Sequence, residues 1–155
     1  MSKSPPGRHP VIRNKRASLK FEILEKIECG IALRGTEVKS LRAGHASLEE
    51  AHARIKDEEI WLLGFNIPPY SHGNDLNHEP TRPRKLLLRK REIRKLEPKV
   101  TLRGQTLVPL RVYFNDRGLC KVTLALARGK THSDKRETLR AKDQKREMER
   151  AMRKR

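Results

Sequence analysis

From Leu19 to Leu33 almost every odd-numbered residue is apolar: Leu19, Phe21, Ile23, Ile27, Cys29, Ile31 and Leu33, with Glu25 the one interruption. A period of two sustained over that length commits the segment to β structure. Successive strand side chains point to opposite faces, whereas a helix would scatter these residues around its axis. The expectation is one long bent strand, or two with a kink near Glu25, carrying Lys20, Glu22, Lys26, Glu28 and Arg34 on the other face. A second alternation, "LVPLRVYFNDRGLCKVTLALA", sets Leu110, Val112 and Phe114 opposite Cys120, Val122, Leu124 and Leu126. Its turn is "NDRG", and its outer face shows Arg111, Tyr113, Lys121 and Thr123. A third, "AHARIKDEEIWLLGFNI", pairs Ala51, Ala53 and Ile55 with Trp61, Leu63, Phe65 and Ile67 around a turn at residues 56–59.

Two segments read as helices. "GTEVKSLRAG" has Thr36 to cap its start, Glu37 for the positive first turn and Gly44 to close it, with Val38 and Leu41 facing a core. "RPRKLLLRKREIRKLEP" places Leu86, Ile93 and Leu96 on one helical stripe and stops at Pro98. Leu87 and Leu88 lie off that stripe, so at least one of them is expected to point outward. The polar stretch "PPYSHGNDLNHEPTRP" is a long loop of the kind that often carries function. Five or six short strands, two helices and no βαβ rhythm predict a mainly β fold. The expected form is an OB-fold-like antiparallel β-barrel with flanking α-helices, a common nucleic-acid-binding architecture.

Charge divides the chain further. The net charge is +18, with +6 in residues 1–20, +7 in 80–95 and +7 in 128–155, whereas 21–79 carries −5 and 96–127 carries +3. Three domains follow: a basic N-terminal arm over 1–17, the barrel over 18–127, and a basic tail over 128–155. Such segregated positive charge predicts a polyanionic partner. The tail lacks the broad apolar face that a membrane-surface helix needs, so RNA or DNA is favoured over lipid. No apolar run approaches the roughly 18 residues of a membrane span, and "MSKSPPGRHP" lacks a secretory apolar stretch, so a cytoplasmic location is expected. From Thr138 onward the tail favours helix, with Asp143–Arg146, Glu147–Arg150 and Glu149–Arg153 at useful spacing. With no face to dock, it is expected to be disordered alone and to fold against phosphates.

The densest local site is the block Arg82, Arg84, Lys85, Arg89, Lys90, Arg91, Arg94 and Lys95, opposed only by Glu92. A merely solvated helix face mixes its signs; this one does not, and phosphate contact is predicted. Tyr113, between Arg111 and Lys121 on the outer face, is a candidate for stacking on a base. Catalytic alternatives are weaker. "RGKT" at Arg128–Thr131 has Leu124 where a phosphate-binding loop needs its first glycine. His72, Asp75 and His78 match no standard metal spacing, and Asp57, Glu58 and Glu59 read as solvated turn residues. Cys29 and Cys120 read as small hydrophobes rather than a disulfide or a metal site. Neither catalysis, nor a metal, nor a cofactor is expected. A structural ribosomal protein, also small and basic, is the alternative of another class.

Five motifs in order, "NKRA" (14–17), "GTEVKSLRAG" (35–44), "PRKLLL" (83–88), "LARGK" (126–130) and "DKR" (134–136), together with "PYSHGNDLNHEPTRPRKLLL", resemble the small protein B (SmpB), or SsrA-binding, family over nearly the whole chain after residue 13. The resemblance implies an OB-like barrel that binds the tRNA-like domain of transfer-messenger RNA. It implies delivery of that RNA to stalled ribosomes for trans-translation, without catalysis. It assigns Asn14, Lys15, Arg16, Glu28, Leu87 and Lys121 to the tRNA-like domain, with Glu28 accepting from base edges. It assigns Asp134, Lys135, Arg136 and the following helix, including Lys142, Lys145 and Arg146, to the ribosome's small-subunit decoding site, messenger channel and ribosomal RNA. Where the family often has His or Tyr before "DKR", this chain has Ser133, with His132 one place earlier. A monomer is expected.

Overall fold

The structure is a computed structural model and describes residues 10–71, 77–130 and 132–153, without the side chains of residues 132–134. Among these residues the chain forms seven strands and four helices. In order they are β1 (Ile12–Arg13), α1 (Ala17–Lys20), β2 (Phe21–Ile31), α2 (Gly35–Arg42), β3 (His52–Lys56), β4 (Glu59–Leu63), β5 (Arg84–Leu87), α3 (Lys90–Thr101), β6 (Thr106–Phe114), β7 (Cys120–Gly129) and α4 (His132–Arg153). All pairings are antiparallel, in the order β1-β6-β3-β4-β5-β2-β7, and β7 also pairs with β6. Each of β2, β3, β4, β5 and β7 therefore has two neighbours and β6 has three, because the ladder closes from β7 onto β6 and β1 is an added edge.

The long alternation becomes β2, and its ladder with β7 shifts register between Ile23 and Glu25, at the expected kink. One extra residue, Leu24, lies at this bulge and is exposed. Leu19 is not in the strand but in α1. The N-terminal arm is likewise shorter than the sequence implied. Residues 12–13 add a strand to β6 and Ala17 is buried, because Ile12 finds a place opposite Val112.

The β3–β4 hairpin corrects a parity. Its turn has two residues, Asp57 and Glu58, both with positive φ, so Lys56 pairs with Glu59 and Ala53 with Leu62. A register shifted by one residue would have faced Trp61 and Leu63 inward; the pairing about Asp57 and Glu58 sets Ile55 opposite Ile60 and buries Ile60 and Leu62 instead. Gly64, at φ +72, then redirects the chain, and Phe65 and Ile67 are buried as expected. A Cβ on Gly64 would lie 2.5 Å from the Glu50 carbonyl oxygen.

The second helix is also corrected. Residues 84–87 are strand β5, where Ile60 pairs with Leu86 and Trp61 with Lys85. The helix begins only at Lys90 and runs through Pro98 to Thr101. A proline this late removes one bond of the ladder; the Leu102 N–H returns to the Pro98 carbonyl at 2.8 Å, and Val100 packs against the core. In α2 the cap is not Thr36. The Arg34 N–H donates to Glu37 Oε1 at 2.7 Å, while Thr36 Oγ1 bonds buried His78 Nδ1 at 2.8 Å. His78 Nε2 lies 2.7 Å from the Ile67 carbonyl and so donates to it, which leaves Nδ1 to accept from Thr36 in the neutral ring. Gly44 ends α2 at φ +82.

Leu107, Val112, Val122, Leu124, Leu126, Ile60, Leu62, Leu86, Cys29 and Ile31 form the main core, joined by Leu41 from α2 and by Ile93 and Leu96 from α3. On the other face of β6 and β7 a small second cluster forms around Val108, Ala125 and Ala127, with Phe21, Ile23 and Leu110 against it. The tail departs from the expected disorder: residues 132–153 are one helix. Its sequence from His132 to Arg153 has no Gly or Pro and is rich in Lys, Arg, Glu, Gln, Ala, Leu and Met, so propensity alone favours helix. None of its three expected charge pairs is among the salt bridges of the described residues. Its residues from Glu147 to Arg153 are all exposed. Among the described residues, no helix is long and apolar enough to cross a membrane.

Candidate nucleic-acid interface

Register places the family's expected contacts side by side. On the outer face, Gly30 of β2 lies between Lys121 of β7 and Leu87 of β5, and Lys121 lies opposite Tyr113 of β6. Two residues along β2, Glu28 lies opposite Thr123, which lies opposite Arg111. Glu28, Lys121 and Leu87 thus converge on one patch although they are 34 to 93 positions apart in the chain. Leu87 is 52% exposed although its strand is flanked on both sides, by β4 and β2. A Cβ on Gly30 would meet Leu87 Cβ and Cδ1 at 3.3 Å, so the glycine forms a shallow saddle under that leucine. Gly30 was missed in the sequence, where a lone glycine inside a strand pattern was the available signal.

The side chains around the patch are held. Arg111 Nε donates to Thr123 Oγ1 at 3.0 Å, and its guanidinium carbon lies 4.6 Å from the Tyr113 ring centroid. The Tyr113 ring expected to stack on a base therefore carries a guanidinium on one face. Asn14 is half-buried; its N–H donates to the Leu110 carbonyl at 2.8 Å and its Nδ2 to the Pro109 carbonyl at 3.0 Å. It pins the arm at the point where the β6–β7 register shifts, between Pro109 and Arg111. Lys15 and Arg16 follow it into solvent just before α1.

The basic block divides, and two of its eight cations, Arg82 and Arg84, are corrected. Arg84 is fully buried, donating through Nε to Glu37 Oε2, through Nη1 to the Phe65 carbonyl at 2.6 Å and through Nη2 to the Pro80 carbonyl at 3.0 Å. Arg82 Nη2 lies 2.5 Å from Glu37 Oε1. These two arginines neutralise a buried acid rather than reach for phosphate, because residues 82–84 lead into a core strand and not an exposed helix. Burial raises the pKa of Glu37, yet hydrogen bonds from Arg82, the Arg34 amide and Arg84 outweigh it and hold the carboxyl below its usual value. Burial likewise lowers the Arg84 pKa, against the pull of Glu37. Lys85 reaches Glu59 at 3.1 Å and Arg94 reaches Glu58 at 3.2 Å, both half-exposed surface pairs. Arg89, Lys90 and Arg91 remain exposed at the start of α3. They crowd the positive end of the helix dipole, where an isolated helix prefers acids.

In the tail, Arg136, Lys142, Lys145 and Arg146 are exposed and Lys135 is half-buried, while the side chain of Asp134, like those of His132 and Ser133, lies outside the described residues. Lys130 Nζ donates to the Ser18 carbonyl at 2.7 Å and to Thr138 Oγ1 at 2.5 Å, tying the start of α4 to α1. Burial pushes the thiols of Cys29 and Cys120 up to about 12, with Glu28 adding to the shift at Cys29, so both are neutral at physiological pH. His72 and Asp75, weighed as metal ligands with His78, lie outside the described residues.

Comparison with known proteins gives a consistent result. Residues 11–154 match the model of the SmpB protein family. The SsrA-binding protein of Sphingomonas elodea is 55% identical over 143 residues, covering 92% of this chain and 89% of that one. The SsrA-binding protein of Brucella canis is 50% identical over 151 residues, covering 97% and 96%. Among solved structures, a chain of "tmRNA-SmpB: a journey to the center of the bacterial ribosome" is similar with a TM-score of 0.67 and 51% identity, over 84% of this chain and 95% of that chain.

Proposed function

The chain belongs to the SmpB family, and from that premise we propose that it binds the tRNA-like domain of transfer-messenger RNA and brings that RNA to stalled ribosomes for trans-translation. It acts as a non-catalytic cytoplasmic RNA-binding monomer. The closed strand ladder is the OB-like barrel of this reading, and its outer face grips folded RNA. The observation that carries the reading is the convergence of Glu28, Lys121 and Leu87 around Gly30. A carboxylate there can accept from base amino groups, an ammonium can meet a phosphate, and an exposed leucine can pack on a base or sugar.

The remaining assignments follow from exposure and charge. Lys15 and Arg16 extend the grip from the pinned arm, and Asn14 positions them. In the basic block, Arg89, Lys90 and Arg91 are the phosphate-facing members, with Lys85 able to exchange Glu59 for phosphate at little cost, since exposed pairs are worth only about 0–1 kcal/mol. Asp134, Lys135, Arg136, Lys142, Lys145 and Arg146 act on the ribosome's small subunit, in the decoding site and messenger channel. A cationic helix without a buried face is suited to a channel walled by ribosomal RNA. No metal or cofactor enters this scheme. Sequencing the RNA that co-purifies with the protein tests it: transfer-messenger RNA should dominate, and a library of ribosomal RNA alone would refute it in favour of a structural ribosomal protein.

A further inference from the structure

Two rows of residues cross the outer face of the sheet. One runs Tyr113, Lys121, Gly30, Leu87; the other runs Arg13, Arg111, Thr123, Glu28. Lys121, Gly30 and Leu87 of the first row, with Glu28, form the RNA surface proposed above. The arginines at the far end of the second row have no part in it so far, and their placement is costly. Arg13 and Arg111 are directly opposed on neighbouring antiparallel strands, where like charges destabilise a sheet. Lys121, diagonal to Arg111, adds a third cation. Among the described residues, none of the three forms a salt bridge. Glu28 is separated from Arg111 by Thr123, two strand spacings or roughly 9–10 Å away.

Arg111 is nevertheless ordered. One edge of its guanidinium donates from Nε to Thr123, and its face lies on Tyr113. Among the described residues, neither Nη1 nor Nη2 of Arg111 has a hydrogen-bond or salt-bridge partner, and theirs is the edge that binds an oxyanion in a fork. Arg13 is exposed beside it, with Ile12 buried on the opposite side of the strand.

We propose that Arg13 and Arg111 together clamp one backbone phosphate of the bound RNA, with Tyr113 and Thr123 as positioning residues for the Arg111 guanidinium. Resting on the RNA-binding reading above, the clamp extends the contact surface past Lys121 to β1, and it makes Tyr113 a support for an arginine rather than a platform for a base.

The test measures affinity of the full chain for the tRNA-like domain over a range of salt, with thermal melts to check folding. Arg111→Ala should weaken binding roughly tenfold or more, as removal of a charge-assisted hydrogen bond does, and reduce the salt slope by about 0.7–0.9, the value for one phosphate. Arg13→Ala should act in the same direction, and the double variant should reduce the slope little more than the larger single, since both serve one phosphate. Tyr113→Phe should bind normally, because it keeps the ring face; Tyr113→Ala should weaken binding and also lower the slope in part. Arg111→Lys should fall between, keeping charge but not the planar fork. The clamp is overturned if Arg111→Ala leaves both affinity and slope intact while Lys121→Ala reduces them. It is also overturned if Tyr113→Ala weakens binding at unchanged slope while Arg111→Ala is harmless, which would make the ring a base platform. Competition by inorganic phosphate beyond its ionic-strength effect would mean a free-anion site and equally overturn the RNA assignment. A wild-type chain that does not bind the tRNA-like domain refutes the underlying reading as well.

Discussion

Replacing Glu37 by glutamine keeps the side chain's shape and removes its charge. In the native protein the carboxylate is completely buried: Oε1 accepts from the Arg34 N–H and from Arg82, and Oε2 accepts from Arg84. Arg84 is itself completely buried, so in Glu37→Gln its guanidinium becomes a buried cation without a counter-charge, left to neutral partners such as the Phe65 and Pro80 carbonyls and the Phe65 ring. Breaking a buried pair from one side costs about 3–5 kcal/mol, a large part of the roughly 5–15 kcal/mol that holds a typical domain folded. At about 2–4 °C per kcal/mol for a chain of this size, the melting temperature should fall by roughly 6–20 °C. Differential scanning calorimetry or thermal circular dichroism measures this directly. Arg84→Met in the Glu37→Gln background removes the stranded charge and should recover part of the stability, but not all, because the two carbonyls then lack a donor. The sign with pH also follows. A carboxyl held below its ordinary value of about 4.3 contributes stability that is complete above that value and is lost as pH falls through the lowered one. Wild-type stability should therefore drop more steeply in acid than that of Glu37→Gln. A fall of less than about 2–3 °C, or a double variant no more stable than the single, would refute the reasoning.

Three further outcomes are expected. Lys121→Ala should weaken binding of transfer-messenger RNA and lower its salt slope by roughly 0.7–0.9 for each phosphate that the lysine neutralises; an unchanged slope in a salt titration removes Lys121 from the phosphate-binding set. Gly30→Ala should melt within about 1 kcal/mol of wild type, since Leu87 is half-exposed and can rotate away from the new methyl, but should bind RNA more weakly as the saddle fills; equal affinity in a binding isotherm would mean that RNA does not enter the saddle. Deleting residues 131–155 should leave affinity for transfer-messenger RNA nearly intact while abolishing peptide tagging in a reconstituted translation assay, and a large drop in RNA affinity would contradict the separation of barrel and tail.

The sequence alone was enough for the strands that alternate cleanly and for the sign of the partner. The period-two runs became β2 and β6–β7, the kink at Glu25 and the glycine stop of α2 are where local chemistry puts them, and segregated positive charge pointed to nucleic acid. Such features depend on neighbours within a few residues, and periodicity and turn chemistry report those. The family's motifs added which residues to watch, and the register of three strands then brought Glu28, Lys121 and Leu87 together.

What the chain could not announce locally was decided by distant partners. Residues 84–87 carry a helix-like pattern but form a strand, because β4 and β2 supply ladder partners on both sides. The parity of β4 depended on the register of its pairing with β3, where a slip of one residue inverts every side chain after the turn. Arg84 reads in sequence like the phosphate-seeking arginines around it, and only Glu37, 47 positions away, makes it a core residue. Periodicity and charge are properties of a segment. Which face is covered, and which charge is already answered, are properties of the contacts that folding makes between segments.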